Sequence, residues 1–146
     1  MKGSNIGKLG VSGSVHGCTE SQLRVLESYI RLASELHHGD CIGVDAQAHA
    51  IALQGRLRVV AHPPVDSKKR AHVEGADEYR PLRSYLKRNR DIAEESDIVV
   101  GFPNHYSERL RSGVFATMRA GLRAGKRVML VTPDGAVRPF TKSRFI

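Results

Sequence analysis

Tryptophan is absent from this chain of 146 residues, and aromatic side chains make up only 5% of it. Proteins that hold single-stranded nucleic acid without reading its sequence stack bases on aromatic rings, and so ring-poor a surface offers few platforms for that. Cysteine is almost absent too. Cys18 and Cys41 are the whole supply, too few for a disulfide scaffold or a four-thiolate metal site, and both read as small reduced hydrophobes. No apolar run approaches the roughly 20 residues that cross a bilayer. The opening MKGSNIGKLGVSG lacks the apolar region of a secretory signal, so the expected compartment is the cytoplasm, with no membrane partner.

Negative charge is also in short supply. Against 23 lysines and arginines stand 15 aspartates and glutamates, a formal net charge of +8, which favours an anionic ligand or a polyanionic partner. Hydrophobic residues at 40% and charged residues at 26% are ordinary for a globular protein. The length suits one domain with a real core. The expectation is a single domain over 1–146, ending in a short basic tail from about 136.

Apolar runs alternate with helical patterns along the whole chain. KLGVS (8–12) reads as a buried strand entering a loop. Leu23, Leu26, Ile30 and Ala33 then recur every three or four residues among charged ones, the mark of an amphipathic helix, and Thr19 with Gln22 fits a capping box at its start. ELHHGD (35–40) suggests a short second strand. VDAQAHAIALQG (44–55) is an Ala-rich helix that Asp45 could cap and Gly55 stops. LRVVAHPP (57–64) is a strand broken by prolines. The polar, basic stretch 65–81 reads as an exposed connection. SYLKRNRDIAEES (84–96) is a helix, DIVVGFP (97–103) a strand, RSGVFATMRAG the start of a last helix ended by Gly125, and RVMLVTPDG (127–135) a last strand. Strands apolar on both faces, alternating with helices, predict an α/β domain: a mostly parallel sheet of about five strands between two helical layers. The unusual loops all follow strands, so they gather on the edge where such folds bind ligands.

Two of those loops carry glycine turns. VSGSVHGCTE sets Ser14 and His16 between Gly13 and Gly17, and RSGVFATMRAG puts Ser112 and Gly113 at the start of a helix, followed by Val114. Glycine lets backbone approach a ligand, and a helix N-terminus favours an anion. Neither turn has the spacing of a dinucleotide or nucleoside-triphosphate loop. In HGDCIGVD, Gly39 leads to Asp40 and Asp45, where carboxylates could take ribose hydroxyls; helix capping is the plainer role for Asp45. His16, His62 and His105 fall in or beside the loops, but no spacing pairs them as metal ligands, so no metal site and no resident cofactor are expected. Adjacent His37 and His38 diverge and read as ordinary. Lys68, Lys69 and Arg70 read as a solvated surface or a flap. Arg88 and Arg90, two residues apart, cannot share one helix face.

Several of these segments together, over roughly 8–135, resemble one superfamily. GDCIGVDAQAHAIALQG, RNRDIAEESDIVVGFP and SGVFATMRAGLRAGKRVMLVTPDG are similar, in order and spacing, to elements of the DNA-processing protein A (DprA) family. The last also occupies the place of the glycine motif of the LOG (lonely guy) nucleotide hydrolases. Both belong to the SLOG superfamily of Rossmann-like domains that bind nucleotides and their derivatives. The resemblance implies that Arg88, Asn89 and Arg90 lie beside a ligand or nucleic-acid groove, that Thr117 belongs to the phosphate turn, and that the chain self-associates. His49 matches the family's Ala-His pair; packing at a helix start and orienting Asp45 both remain open for it.

One departure bears on chemistry. The LOG enzymes carry a catalytic glutamate three residues after the motif's threonine, and here that position is Ala120. Three readings follow. The first is binding of a nucleotide or nucleotide-derived small molecule without turnover, with phosphates on the two glycine turns, a ribose on the Asp40/Asp45 loop, and Arg88 or Arg90 on a second phosphate. The second is an N-glycosidase or phosphoribohydrolase using Asp45, Asp91 or Glu108. The third is DprA-like binding of single-stranded nucleic acid.

Overall fold

In the computed structural model, which describes residues 5–109 and 112–141, the sheet grows outward from β1 (Gly7–Gly13). The chain continues through α1 (Glu20–Leu32), β2 (Ala33–His38), α2 (Val44–Gln54), β3 (Arg58–Ala61), β4 (Glu78–Tyr79), α3 (Tyr85–Glu95), β5 (Ile98–Phe102), α4 (Gly113–Arg123), β6 (Arg127–Val131) and β7 (Val137–Pro139). The strand order is β4-β3-β2-β1-β5-β6-β7. All neighbours run parallel except β6 and β7. After β1 the chain builds one half of the sheet and then crosses to build the other from β5. Between β1 and β5 the order therefore reverses, which opens a crevice at their carboxyl ends.

Strand alternation sorts the core into two. Leu9, Val11, Ile98, Val100, Phe102 and Val131 face α1 and α2, while Val99 and Val128 face α4 with Phe115 and Met118. Each fully buried Leu, Val or Phe removes enough apolar surface to stabilise the fold by roughly 1.5–3 kcal/mol. Two strand glycines bring helices close: a Cβ at Gly10 would run into Ile92 of α3 and its C-cap Ser96, and one at Gly101 into Met118 of α4. The predicted capping box is present, with Gln22 N–H donating to Thr19 Oγ1 at 3.1 Å and Thr19 N–H to Gln22 Oε1 at 3.0 Å. Buried Gln22 goes further. Its Nε2 donates to the carbonyls of Pro103 and Val131, tying α1 to the ends of β5 and β6.

The sheet has seven strands rather than about five. The extra two, β4 and β7, are edge strands of two and three residues without apolar alternation, so no sequence pattern marks them; a proline in β7 is tolerated because an edge strand leaves one side unpaired. β4 lies inside the stretch expected to be a plain connection. β7 lies inside the expected basic tail, of which 142–146 fall outside the described residues. No helix among the described residues is long and apolar enough to cross a membrane.

Candidate ligand-binding site

The crevice at the strand reversal is a cavity of about 890 Å³, within the range of small-molecule sites. Its walls come from the end of β1 (Gly13, Ser14 and His16), the turn after β2 (Gly39 and Cys41), Asp45, the first half of α3 (Tyr85, Arg88 and Asn89), the loop after β5 (Asn104 and His105) and the start of α4 (Ser112, Gly113 and Val114). Both glycine turns thus meet on one edge.

The two turns are not equivalent. Around Gly13–Gly17 all the backbone donors but that of Val15 are used: Ser14 N–H goes to the Phe102 carbonyl, His16 N–H to Ser14 Oγ and Gly17 N–H to the Ser14 carbonyl. Cys18 N–H goes to Gln47 Oε1, and α1 caps itself. Gly17 has φ +87° but does not line the cavity. This turn shapes the wall and offers a phosphate little. The turn at Gly113 is the open one. Ser112 makes no side-chain cap, and the first N–H bonded within α4 is that of Ala116, so those of Gly113, Val114 and Phe115 have no partner among the described residues and are open to a ligand or water. A Cβ at Gly113 would meet nothing within 4 Å. Helix α3 is also uncapped by its Ser84 side chain, and its first residues, Tyr85 and Leu86, line the same cavity.

At the floor, Arg88 is buried and donates through Nη1 to the Gly39 carbonyl and, at 3.4 Å, to that of His62. Its Cζ lies 5.3 Å from the Tyr85 ring centroid, a cation–π distance. Asp45 does not cap α2. Gly43 holds the cap position, and Asp45, one residue into the helix, accepts the N–H groups of Gly39 (3.0 Å) and Cys41 (3.2 Å) on Oδ2. It folds the β2–α2 turn back on itself. Burial pushes its carboxyl up to about 6, against the lowering effect of Arg88 and the two N–H groups. Among the described residues, Asp45 Oδ1 and Arg88 Nε are buried without a partner. Asn89 is 6% exposed, and no protein group among the described residues takes its amide.

Other candidates stand elsewhere. Asp40 is fully buried with φ +54° and anchors the following segment, accepting from Arg70 Nε at 2.7 Å and Val73 N–H at 2.9 Å. It does not line the cavity, and Arg70 is a strut rather than free surface. Arg90 is exposed and does not line the cavity, because two residues along a helix turn it to another face. Thr117 is buried, with its hydroxyl donating back to the Gly113 carbonyl at 3.0 Å. Of the acids weighed for catalysis, Asp91 pairs with Arg83 and Glu108 with Arg119; Asp45 and Asp66 are the carboxylates in the cavity wall. Ala120 is packed in the α4 core.

The histidines are far from ordinary. His37 and His38 do diverge, but each is buried and finds another histidine: His37 Nδ1 meets His62 Nε2 at 2.9 Å, and His38 Nε2 meets His49 Nδ1 at 3.0 Å. His49 therefore packs, with Nε2 donating to the Glu74 carbonyl, and has no hydrogen bond to Asp45. His62 turns into the fold rather than the cavity. Sequence reading also passed over Cys41, Tyr85 and Asn104 as lining residues. Their positions beside the predicted loops were the available signal.

No model of a protein family and no curated protein matches the chain. Solved structures do. The molybdenum cofactor binding protein of the phototrophic bacterium Rippkaea orientalis superposes with a TM-score of 0.66 at 18% identity, over 90% of this chain and 78% of that one. The Moco carrier protein of Chlamydomonas reinhardtii gives 0.61 at 21%, over 86% and 76%. DNA processing protein A of Streptococcus pneumoniae gives 0.58 at 23%, over 84% of this chain but only 49% of that one. The chain is thus a Rossmann-like α/β domain.

Proposed function

We propose that the chain binds an anionic, nucleotide-derived small molecule in the cavity between β1 and β5. The observation that carries this reading is the open N-terminus of α4 facing a cavity whose ionised lining is mostly basic. Lys68, Lys69, Arg88 and Arg109 stand against Asp45 and Asp66. A phosphate seated on the N–H groups of Gly113 to Phe115 gains both hydrogen bonds and the helix dipole. The Asn89 amide supplies a polar contact for the rest of the ligand, and the Tyr85 ring a flat apolar wall. Two proteins of similar fold are named for binding or carrying a molybdenum cofactor, which supports a small-molecule ligand.

Binding without turnover is the simpler form of the proposal. Asp45 is tied to the turn through Oδ2, and Asp66 sits in an exposed loop. The self-association that the resemblance implies has apolar material in exposed Val65, Leu82 and Leu86; sedimentation of the purified chain measures it.

Mass spectrometry of molecules released by denaturing the purified protein tests the proposal. A phosphorylated, nucleotide-derived compound that rebinds with an affinity surviving moderate salt is the expected result. A nucleic-acid site with 6–10 phosphate contacts would instead lose roughly 10³–10⁵ in affinity from low to physiological salt, so tight oligonucleotide binding with that slope replaces this reading with the DprA-like one. Recovery of free base or sugar phosphate, stopped by Asp45→Asn, replaces it with an enzyme.

A further inference from the structure

The two buried histidine pairs differ in how their hydrogen bonds close. In the His38–His49 pair the Asp40 N–H donates to His38 Nδ1 at 2.9 Å. That nitrogen is therefore an acceptor, so His38 donates through Nε2 to His49 Nδ1, and His49 donates through Nε2 to the Glu74 carbonyl at 2.6 Å. Every ring nitrogen is satisfied, with both rings neutral. In the His37–His62 pair, the Glu35 carboxylate sits 2.5 Å from His37 Nε2 and fixes the proton there. His37 Nδ1 is then an acceptor aimed at His62 Nε2, 2.9 Å away. His62 Nδ1 is left buried with no partner. One pair is closed and the other is left open.

A third group completes the open pair. Glu95, at the end of α3, brings a carboxylate oxygen to within 4.8 Å of a ring nitrogen of each of these two histidines. Its Oε1 takes the close bonds from Arg80, at 2.6 Å from Nη2 and 3.1 Å from Nε, while Oε2 has only a contact at 3.4 Å. We propose that His37 Nδ1, His62 Nε2 and Glu95 Oε2 bind one divalent transition-metal ion of the zinc class. Imidazole and carboxylate suit such ions, and three protein ligands leave one position of a tetrahedron for water. The Glu35 carboxylate on the far nitrogen of His37 is the support that metal-bound histidines usually have, since it holds the ring's tautomer and orientation. Two imidazole nitrogens on a tetrahedral ion stand about 3.3 Å apart, so the pair, now 2.9 Å apart, has to open by about 0.4 Å and the rings have to turn so that both lone pairs face the ion. Arg58 and Arg80, and behind them Arg88, oppose a cation here; the three carboxylates of Glu35, Glu78 and Glu95 match them in number.

Sequence spacing could not show this, because the ligands come from β2, the residue after β3 and the end of α3. The test is titration of chelator-treated protein with Zn²⁺, followed by calorimetry and by NMR of ¹⁵N-histidine-labelled protein. One equivalent is expected to bind and to shift His37 and His62 while His38 and His49 stay in place. Glu95→Gln, at a half-buried helix end, is expected to weaken binding at least tenfold, and Glu35→Gln by about 10–100-fold; exposed His72→Asn should leave Zn²⁺ affinity unchanged. No Zn²⁺ binding, shifts confined to His16, His72 or His105, or unchanged affinity in Glu95→Gln each overturn the site. The NMR arm uses the unaltered chain, so it decides the matter even where a variant fails to fold.

Discussion

Asp45→Asn isolates the buried carboxyl at the cavity floor, because asparagine keeps the volume and one oxygen for the N–H groups of Gly39 and Cys41. Burial raises the Asp45 carboxyl from 3.8 to about 6. The native state therefore holds its proton more tightly than the unfolded state does. That contribution to stability is fully present below about 3.8 and is lost as pH rises through about 6. Moving from pH 7.5 to 5.0 should thus favour the native protein, through this group alone, by about 1.4 kcal/mol, at 1.36 kcal/mol per pH unit of difference. The buried histidines act in the opposite direction, but they are present in both proteins and cancel in the comparison. Urea unfolding of both proteins at the two pH values, at matched ionic strength, gives four stabilities. The change on acidification should be more favourable for the wild type by about 1.4 kcal/mol, or about 3–6 °C in Tm for a domain of this size. Parallel pH profiles would refute the argument. The reverse sign would show that Arg88 and the two N–H groups outweigh burial and hold Asp45 ionised.

Gly113→Val should leave stability within about 1 kcal/mol, since glycine is a poor helix residue and the new side chain meets only open space; calorimetry with the recovered ligand should show at least a tenfold loss of affinity. Arg90→Ala should leave ligand affinity unchanged. Arg88→Ala should cost about 1–3 kcal/mol in urea unfolding by leaving the buried Gly39 carbonyl without its donor. Gly39→Ala places a methyl against the Arg88 guanidinium and Asp45, and thermal melting should show a loss of about 1–3 kcal/mol, the range for overpacking.

Much of the architecture was written in local patterns. The Thr19–Gln22 box, the apolar strands at 98–102 and 127–131, and the stop at Gly55 depend on neighbours in sequence. They appear where the patterns put them. The edge strands β4 and β7 did not show, because pairing with a neighbour defines them and their own residues carry no apolar alternation. The site divides in the same way. That two glycine turns would share an edge follows from parallel strands alone. Which turn keeps its N–H groups open depends on Ser14, Gln47 and Phe102 using up the donors of the first, and two of those three partners lie far away in the chain. A glycine turn read from sequence says only that backbone can approach.

The same logic explains why Asp45 and Arg88 were half legible. A carboxylate near a helix start reads as a cap, yet Gly43 reaches that position first, with φ +88°, where a Cβ would strike the Ser14 carbonyl and Val15. Its N-terminal shift frees Asp45 to bind the preceding turn instead. That turn presents the Gly39 carbonyl to Arg88, and Arg88 in turn donates to the carbonyl of His62, the residue whose ring faces His37. One face of α3 therefore supports both sites: Arg88 at the cavity floor and, seven residues on, Glu95 beside the histidine pair. Seven residues are two helical turns, so these side chains lie in line. A change in the position of α3 on ligand binding must then reach the histidine pair. Zn²⁺ affinity measured with and without the recovered ligand should differ, and equal values would show that α3 holds the two sites independently.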